Sequence, residues 1–370
     1  MGFILSGFVA GASGKAQRVV APITSISRFT KIFTAACLVG TALGASAQDA
    51  ADVASAQALA QALAAELNAA CPLADPSSQA AYDACRQPLF SDSQLKHNLD
   101  TQVLWGRQAA EPSTSLKASG LTQFSPDIWT GMYASLFMFD GSQRVEWVEK
   151  EKMFRIQLGA TFRNRLAPGE FPYPFWHDAN KWSAYENANS LLLWYSPKHQ
   201  KIKVAQFTWQ DGPLAGVAVK PVTHDKFDGK WVWTDKNGVT QPVVTVFDGL
   251  YSSNNPYKAQ LDKDYKALAV SLRDNQCLQC HSPDNKDHSK RLVLLQSPAH
   301  ASGEIVRLLK TIRNDRMPLD EIGIAAPLDA DAKRVLLDLG GVFERTVVAA
   351  KNWEDNQQAQ AKAVVKVSAK

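Results

Sequence analysis

Cys277-Leu278-Gln279-Cys280-His281 sets two thiols three positions apart, with an imidazole directly after the second. Cys-x-x-Cys-His is the attachment pattern of a c-type haem: each thiol adds to one vinyl group, and the adjacent imidazole lies under the iron as the proximal ligand. The chain has five cysteines and seven histidines in 370 residues, a composition that gives such a run by chance at a frequency of roughly one in a thousand. Two other chemistries use Cys-x-x-Cys. A thioredoxin-like redox pair expects a βαβ context, and a zinc ribbon expects a second Cys-x-x-Cys; the sequence offers neither.

Downstream stands Met317-Pro318, 36 residues beyond His281 at the methionine, which is the last in the chain. On Cys277, Cys280, His281 and Met317-Pro318, with helices expected before and after, the stretch of about 256–348 resembles the class I cytochrome c family. The resemblance covers about the last quarter of the chain. It implies a small all-α domain around one covalent haem c, with His281 and Met317 as the axial ligands of the iron. The larger region before it carries no such resemblance.

The elements that must hold these residues follow from periodicity. Asn254, Asn255 and Pro256 form a boundary loop. Leu261 to Arg273 reads as a helix, with Tyr265, Leu268, Val270 and Leu272 apolar, and it delivers Cys277. Ser282-Pro283-Asp284-Asn285 is a turn, and Leu292 to Leu295 is an apolar segment suited to a haem edge. Ser302-Gly303-Glu304 opens a helix to about Arg313, with Ile305, Leu308 and Leu309 on its buried face. Met317 then falls in a loop between helices, stiffened by Pro318. Its alternative role is core filling. The rival distal ligands are His300 and His288, the latter seven residues past His281 in a charged stretch. Asp329 to Phe343 is the last helix, with Val335, Leu336, Leu339 and Phe343 apolar and Gly340-Gly341 permitting close packing. Residues 349–370 read as a flexible tail, rich in Ala, Lys and Gln from Gln357.

Residues 1–47 hold Lys15, Arg18, Arg28 and Lys31 and no acidic residue, an apolar run from Ile32 to Leu43, and Ala45-Ser46-Ala47. That is the pattern of a Sec signal peptide. It places the mature chain in the periplasm, where Cys-x-x-Cys-His haem attachment takes place in bacteria. Cys37 lacks the aliphatic residue that a lipidation site expects before it. The whole chain has 40 basic and 36 acidic residues, so loss of four basic residues leaves 36 of each. The basic pI then belongs to the signal, and nothing favours a nucleic-acid partner. No later run of 18 or more apolar residues is present to span a membrane.

Within 48–110, a helical segment, Leu59, Leu63 and Leu67 mark one helix face up to Cys71, and Ser77 to Cys85 reads as a second short helix. With Cys277 and Cys280 assigned to haem, an oxidising compartment favours a Cys71–Cys85 disulfide joining the two helices, two buried thiols being the alternative. Residues 111–128 read as a loop, and Ile128 to Phe139 as helix or strand. The rest of 111–255 is an aromatic-rich β region. Met153 to Phe162 alternates, Ser190 to Tyr195 and Lys201 to Trp209 flank Ser196-Pro197-Lys198-His199-Gln200, and Lys230 to Thr234 and Val243 to Phe247 flank Asn237-Gly238, so two hairpins are expected. A short helix of about 178–188 carries Trp182 and Tyr185. Nine of the ten tryptophans precede residue 240, which makes this region either an aromatic core or an aromatic pocket with His177 at its mouth.

The chain is therefore expected to be α+β: a helical hairpin and an aromatic-rich β domain, then a small all-α haem domain. The expected function is outer-sphere electron transfer by a His/Met-ligated haem to a partner protein, with the N-terminal region docking a partner or binding a ligand. An open distal iron site would make it a peroxidase-like enzyme or gas sensor instead. An N-terminal enzyme feeding electrons to the haem is a third reading, with no nucleotide, triad or metal motif behind it.

Overall fold

Helix α1 (Ala50–Ala70) starts where the Asp49 carboxylate accepts the amide of Ala51 at 2.9 Å, satisfying one donor of the first turn. Its buried residues, Ala56, Ala60, Leu63, Ala64 and Leu67, form one stripe, and the alanines let it lie close on strand β3 (Phe137–Val148). The computed structural model describes residues 49–109, 114–116, 121–173, 179–209, 218–223, 250–252, 254–277, 280–281, 298–320 and 322–368. The expected signal, the Asn237-Gly238 hairpin, the turn at Ser282 and the Leu292 to Leu295 segment lie outside them.

Helix α2 (Gln79–Ser91) is capped by Ser78 and runs six residues past its expected end at Cys85. Cys71 and Cys85 are joined by a disulfide, and both are fully buried. The Cys71 carbonyl accepts the amide of Phe139 at 2.8 Å, so the covalent link is seated on β3. Within the expected helical segment the chain differs from expectation. After α3 (Gln94–Asn98), whose first amides are held by the Glu66 carboxylate, comes strand β1 (Leu99–Arg107). Its polar Asp100-Thr101-Gln102 breaks the apolar alternation that would have marked it.

The expected loop of 111–128 contains β2 (Thr122–Phe124) and a short turn, α4 (Pro126–Ile128). The segment that periodicity leaves undecided resolves into both states: a π turn over Trp129–Tyr133, a 3-10 turn over Ala134–Leu136, then β3. Strand β4 (Met153–Phe162) alternates as expected, with Phe154, Ile156, Leu158, Ala160 and Phe162 inward. Strands β6 (Ala188–Ser196) and β7 (Lys201–Trp209) form the expected antiparallel hairpin, with Gln200 in the left-handed region at φ 51°. The six strands run in the order β2-β1-β7-β6-β4-β3, antiparallel except for β1 beside β7. Two short strands, β5 (Glu170–Tyr173) and β8 (Lys220–Thr223), pair separately, and α5 (Ala179–Glu186) packs near the sheet.

Aromatics fill the core. Trp105 on β1 donates to Tyr185 Oη at 2.7 Å and lies within 5.5–6.2 Å, ring to ring, of Trp129, Tyr133, Phe137, Tyr185 and Phe207. Of the two readings of this region, the core reading describes these residues; His177 lies outside the described ones. The opposite sheet face is covered around Leu116, Trp194 and Val204.

Three helices complete the fold: α6 (Lys258–Asp274), α7 (Pro298–Arg313) and α8 (Ala330–Ser368). One continuous apolar cluster runs from Ala56 on α1 through the sheet to Ala350 on α8, and Gln48–Lys370 is one unit. The architecture is thus mixed helix and sheet. Helix α7 starts at Pro298, earlier than the expected Ser302-Gly303-Glu304. Pro suits a first helical turn, and Gly303 is instead a point of close approach. A Cβ there would stand 2.2 Å from Ile128 Cγ1 and 2.4 Å from Ser125 Oγ. Helix α8 runs through the residues expected as a flexible tail, with Ala350, Glu354 and Gln358 buried.

Gly340 does what its position suggested. A Cβ on it would meet Leu309 Cδ2 at 2.4 Å, so α8 seats against α7 there. Gly340→Val is expected to lower stability by about 1–3 kcal/mol through overpacking, read as a lower urea midpoint at unchanged slope. Gly341, whose added Cβ would meet only the end of Arg345 at 3.6 Å, is the matched control.

Candidate functional site

Helix α6 buries Leu261, Tyr265, Leu268, Ala269 and Leu272. Those residues fix where its C-terminus points. The helix ends in a left-handed step: Asn275 donates to the Ser271 carbonyl, and Gln276, at φ 62°, donates to that of Arg273 at 2.8 Å. This closes the orphan carbonyls of the last turn and sets Cys277 directly after the cap. The Cys277 side chain is half-buried against the main core, and its thiol lies 3.8 Å from the Asn275 carbonyl. The amide of His281 donates to the Cys277 carbonyl at 3.1 Å, a single turn that ties the start of the motif to its end. Cys280 is exposed and His281 half-buried. Neither Cys277 nor Cys280 is in a disulfide.

This placement bears on the rival chemistries. A reactive Cys-x-x-Cys thiol sits at a helix N-terminus, where the dipole lowers its pKa. Cys277 sits past a helix C-terminus, and burial pushes its thiol up. The thiolate that disulfide exchange needs is thereby disfavoured. Among the described residues, no group of three His, Cys, Asp or Glu side chains is placed to hold a metal ion.

Helix α7 presents Ala301, Ile305, Leu309 and Ile312 inward. It ends at Arg313, and Asp315 then adopts φ 51° and pairs its carboxylate with Lys333 of α8 at 2.6 Å. Met317 follows, half-buried, with a cis bond to Pro318. The loop beyond it is a built hairpin, which the sequence reading missed. The Asp320 carboxylate accepts the amides of Ile322 and Ile324 at 3.0 and 2.8 Å, the Asp320 amide donates to the Ile324 carbonyl, and Ala326 closes onto the Pro318 carbonyl at 2.9 Å. The signal that marks it is Asp320 three residues before Gly323, a turn pairing. This hairpin holds Leu319, Ile322 and Ile324 outward, 41, 80 and 60% exposed.

The structure therefore brings Cys277, Cys280 and His281 into one turn, bonds Cys71 to Cys85, and puts Met317 just before the Asp320 turn. His300 lies in the first turn of α7, and His288 lies outside the described residues. Two unbridged thiols and an imidazole in one turn are donors of the kind that a haem c would need. No described helix is long and apolar enough to cross a membrane. No family model matches the chain, and neither the curated proteins nor the solved structures offer a similar one.

Proposed function

We propose that this chain is a periplasmic mono-haem c-type cytochrome that passes electrons to a partner protein. Helices α6 to α8 supply the cytochrome c-like part, and the sheet region docks a partner or binds a ligand. The observation that carries the reading is Cys277, Cys280 and His281 gathered in one turn after the end of helix α6. When bound, a haem with one nitrogen and one thioether on its iron supplies one-electron exchange at a raised potential.

The residues of this chain act as follows. Cys277 and Cys280 would hold a haem c through thioether links, and His281 and Met317 would be the residues that ligate its iron, the chemistry supplied being one-electron exchange. Low polarity around such a group would favour its reduced, less charged state.

The deciding experiment records oxidised and reduced absorption spectra of the mature protein produced with a haem-attachment system. A low-spin reduced spectrum and the weak far-red methionine–iron band are expected. Met317→Ala is expected to abolish that band, lower the potential, and allow CO to bind the reduced protein. A wild-type spectrum that is already high-spin and responds to CO would replace electron transfer with the enzyme or sensor reading.

A further inference from the structure

We propose that the outer edge of strand β3, over residues 142–148, pairs antiparallel with the same edge of a second copy of this chain, in a symmetric dimer centred on Val145. Strand β3 is the last strand of the six-stranded sheet and pairs there with β4 alone among the described residues. An edge strand presents a row of unpaired N–H and C=O groups, which proteins blunt with short length, lysine or proline. The far edge is blunted by length, since β2 has three residues. Strand β3 has twelve, and 142–148 contains neither lysine nor proline. Its first part is closed: Pro72 lies beside Phe139, and the Phe139 amide donates to the Cys71 carbonyl. The Asp140 carboxylate then accepts the amide of Ser142 at 2.8 Å, and the register with β4 shifts between Phe139 and Gln143. From 142 to 148 no described strand pairs on the outer side, and Ser142, Gln143 and Arg144 are exposed.

Charge selects the occupant and the register. A twofold axis lets an antiparallel strand meet its own copy only where some residue faces itself. Centring on Arg144 or Glu146 sets like charges face to face. Centring on Gln143 puts Glu146 opposite Asp140, and centring on Trp147 puts Arg144 opposite Lys150. Centring on Val145 puts Arg144 of each copy opposite Glu146 of the other, and it pairs the whole of 142–148 with itself. Val145 and Trp147 pack toward the main core, so Arg144 and Glu146 project from the opposite face. One oxygen of Glu146, Oε2, holds Arg155 of β4 at 2.6 Å, and the other, Oε1, can accept a second guanidinium. An unrelated extended segment has no reason to carry the matching pattern; a second copy carries it by symmetry. The edge shares no residue with the haem region, and its test does not depend on the haem.

The test is sedimentation equilibrium of the full mature protein from about 5 to about 500 μM, a range suited to an interface at the small end of the size scale. A monomer–dimer equilibrium is expected. Arg144→Glu, at an exposed position, turns both facing pairs into like charges and is expected to weaken dimerisation at least about tenfold, with an unchanged far-ultraviolet spectrum. Val145→Cys brings two thiols together on the axis, and mild oxidation is expected to give a covalent dimer on a non-reducing gel. Arg144→Cys, whose counterpart across the pair is Glu146, is expected to link no more than wild type under the same oxidation. A chain that stays monomeric throughout the range overturns the proposal. So does an undiminished dimer in Arg144→Glu, which would place the contact elsewhere, or equal linking in the two cysteine variants.

Discussion

The Cys277→Ser, Cys280→Ser double variant, produced with a haem-attachment system, is expected to carry no covalent pigment, whereas the wild type is expected to stain for haem on a denaturing gel. A hydroxyl replaces each thiol at nearly the same size but does not add to a vinyl group under these conditions. The folding cost is small. Cys280 is exposed, and Cys277, half-buried, touches the core only at its edge, so the change is worth about 1 kcal/mol. The far-ultraviolet spectrum of the variant therefore stays that of a folded protein, which separates loss of attachment from loss of structure. Each single variant keeps one thioether and is expected to retain haem at a lower yield. Covalent haem in the double variant would sink the assignment. A wild type that takes up no haem would return the pair to dithiol chemistry, where the position of Cys277 beyond a helix C-terminus is already unfavourable.

The parts of this fold that sequence made legible are those whose own side chains carry the period. Phe154, Ile156 and Leu158 alternate because β4 packs one face on the core. Leu63 and Leu67 mark α1 because its stripe meets β3. The Cys-x-x-Cys-His run is legible for another reason: the proposed haem attachment would need thiol, thiol and imidazole at fixed spacing, whatever the fold. What stayed hidden depends on partners distant in the chain. Strand β1 lies between β7 and β2, and its register is set by those strands rather than by alternation in Asp100-Thr101-Gln102. The hairpin after Met317 is held by one carboxylate on backbone amides, which no hydrophobic pattern reports.

The second half of α8 is the largest such omission, and it leads to a firm expectation. Leu336, Phe343 and Ala350 are fully buried at seven-residue spacing, and then the inward positions turn polar at Glu354 and Gln358. An Ala/Lys/Gln-rich run with polar inward residues reads as a solvated tail, yet the Glu354 side chain is fully enclosed. It accepts the amide of Ser252 at 2.6 Å, the Ser252 hydroxyl at 2.7 Å and the Asn255 side-chain amide at 3.0 Å. Arg86 of α2 extends the network, donating to the Leu250 carbonyl at 2.5 Å and to Ser252 Oγ at 3.2 Å. One turn earlier, Lys351 pairs with Asp127, which also binds Lys96. Helix α8 is thus pinned to α2, α4 and the chain leading into α6. Glu354→Ala removes the acceptor from one buried and two part-buried donors and is expected to cost about 2–4 kcal/mol, a large share of the roughly 5–15 kcal/mol that holds a domain folded. Glu354→Gln keeps the volume and one acceptor, so its cost is expected to be about 1–3 kcal/mol. A chain ending at Ala349 loses both anchors and is expected to show no cooperative urea transition. Should that shortened chain unfold at the wild-type midpoint, the residues beyond Ala349 are an appendage after all, and the fold closes on α6 and α7 without them.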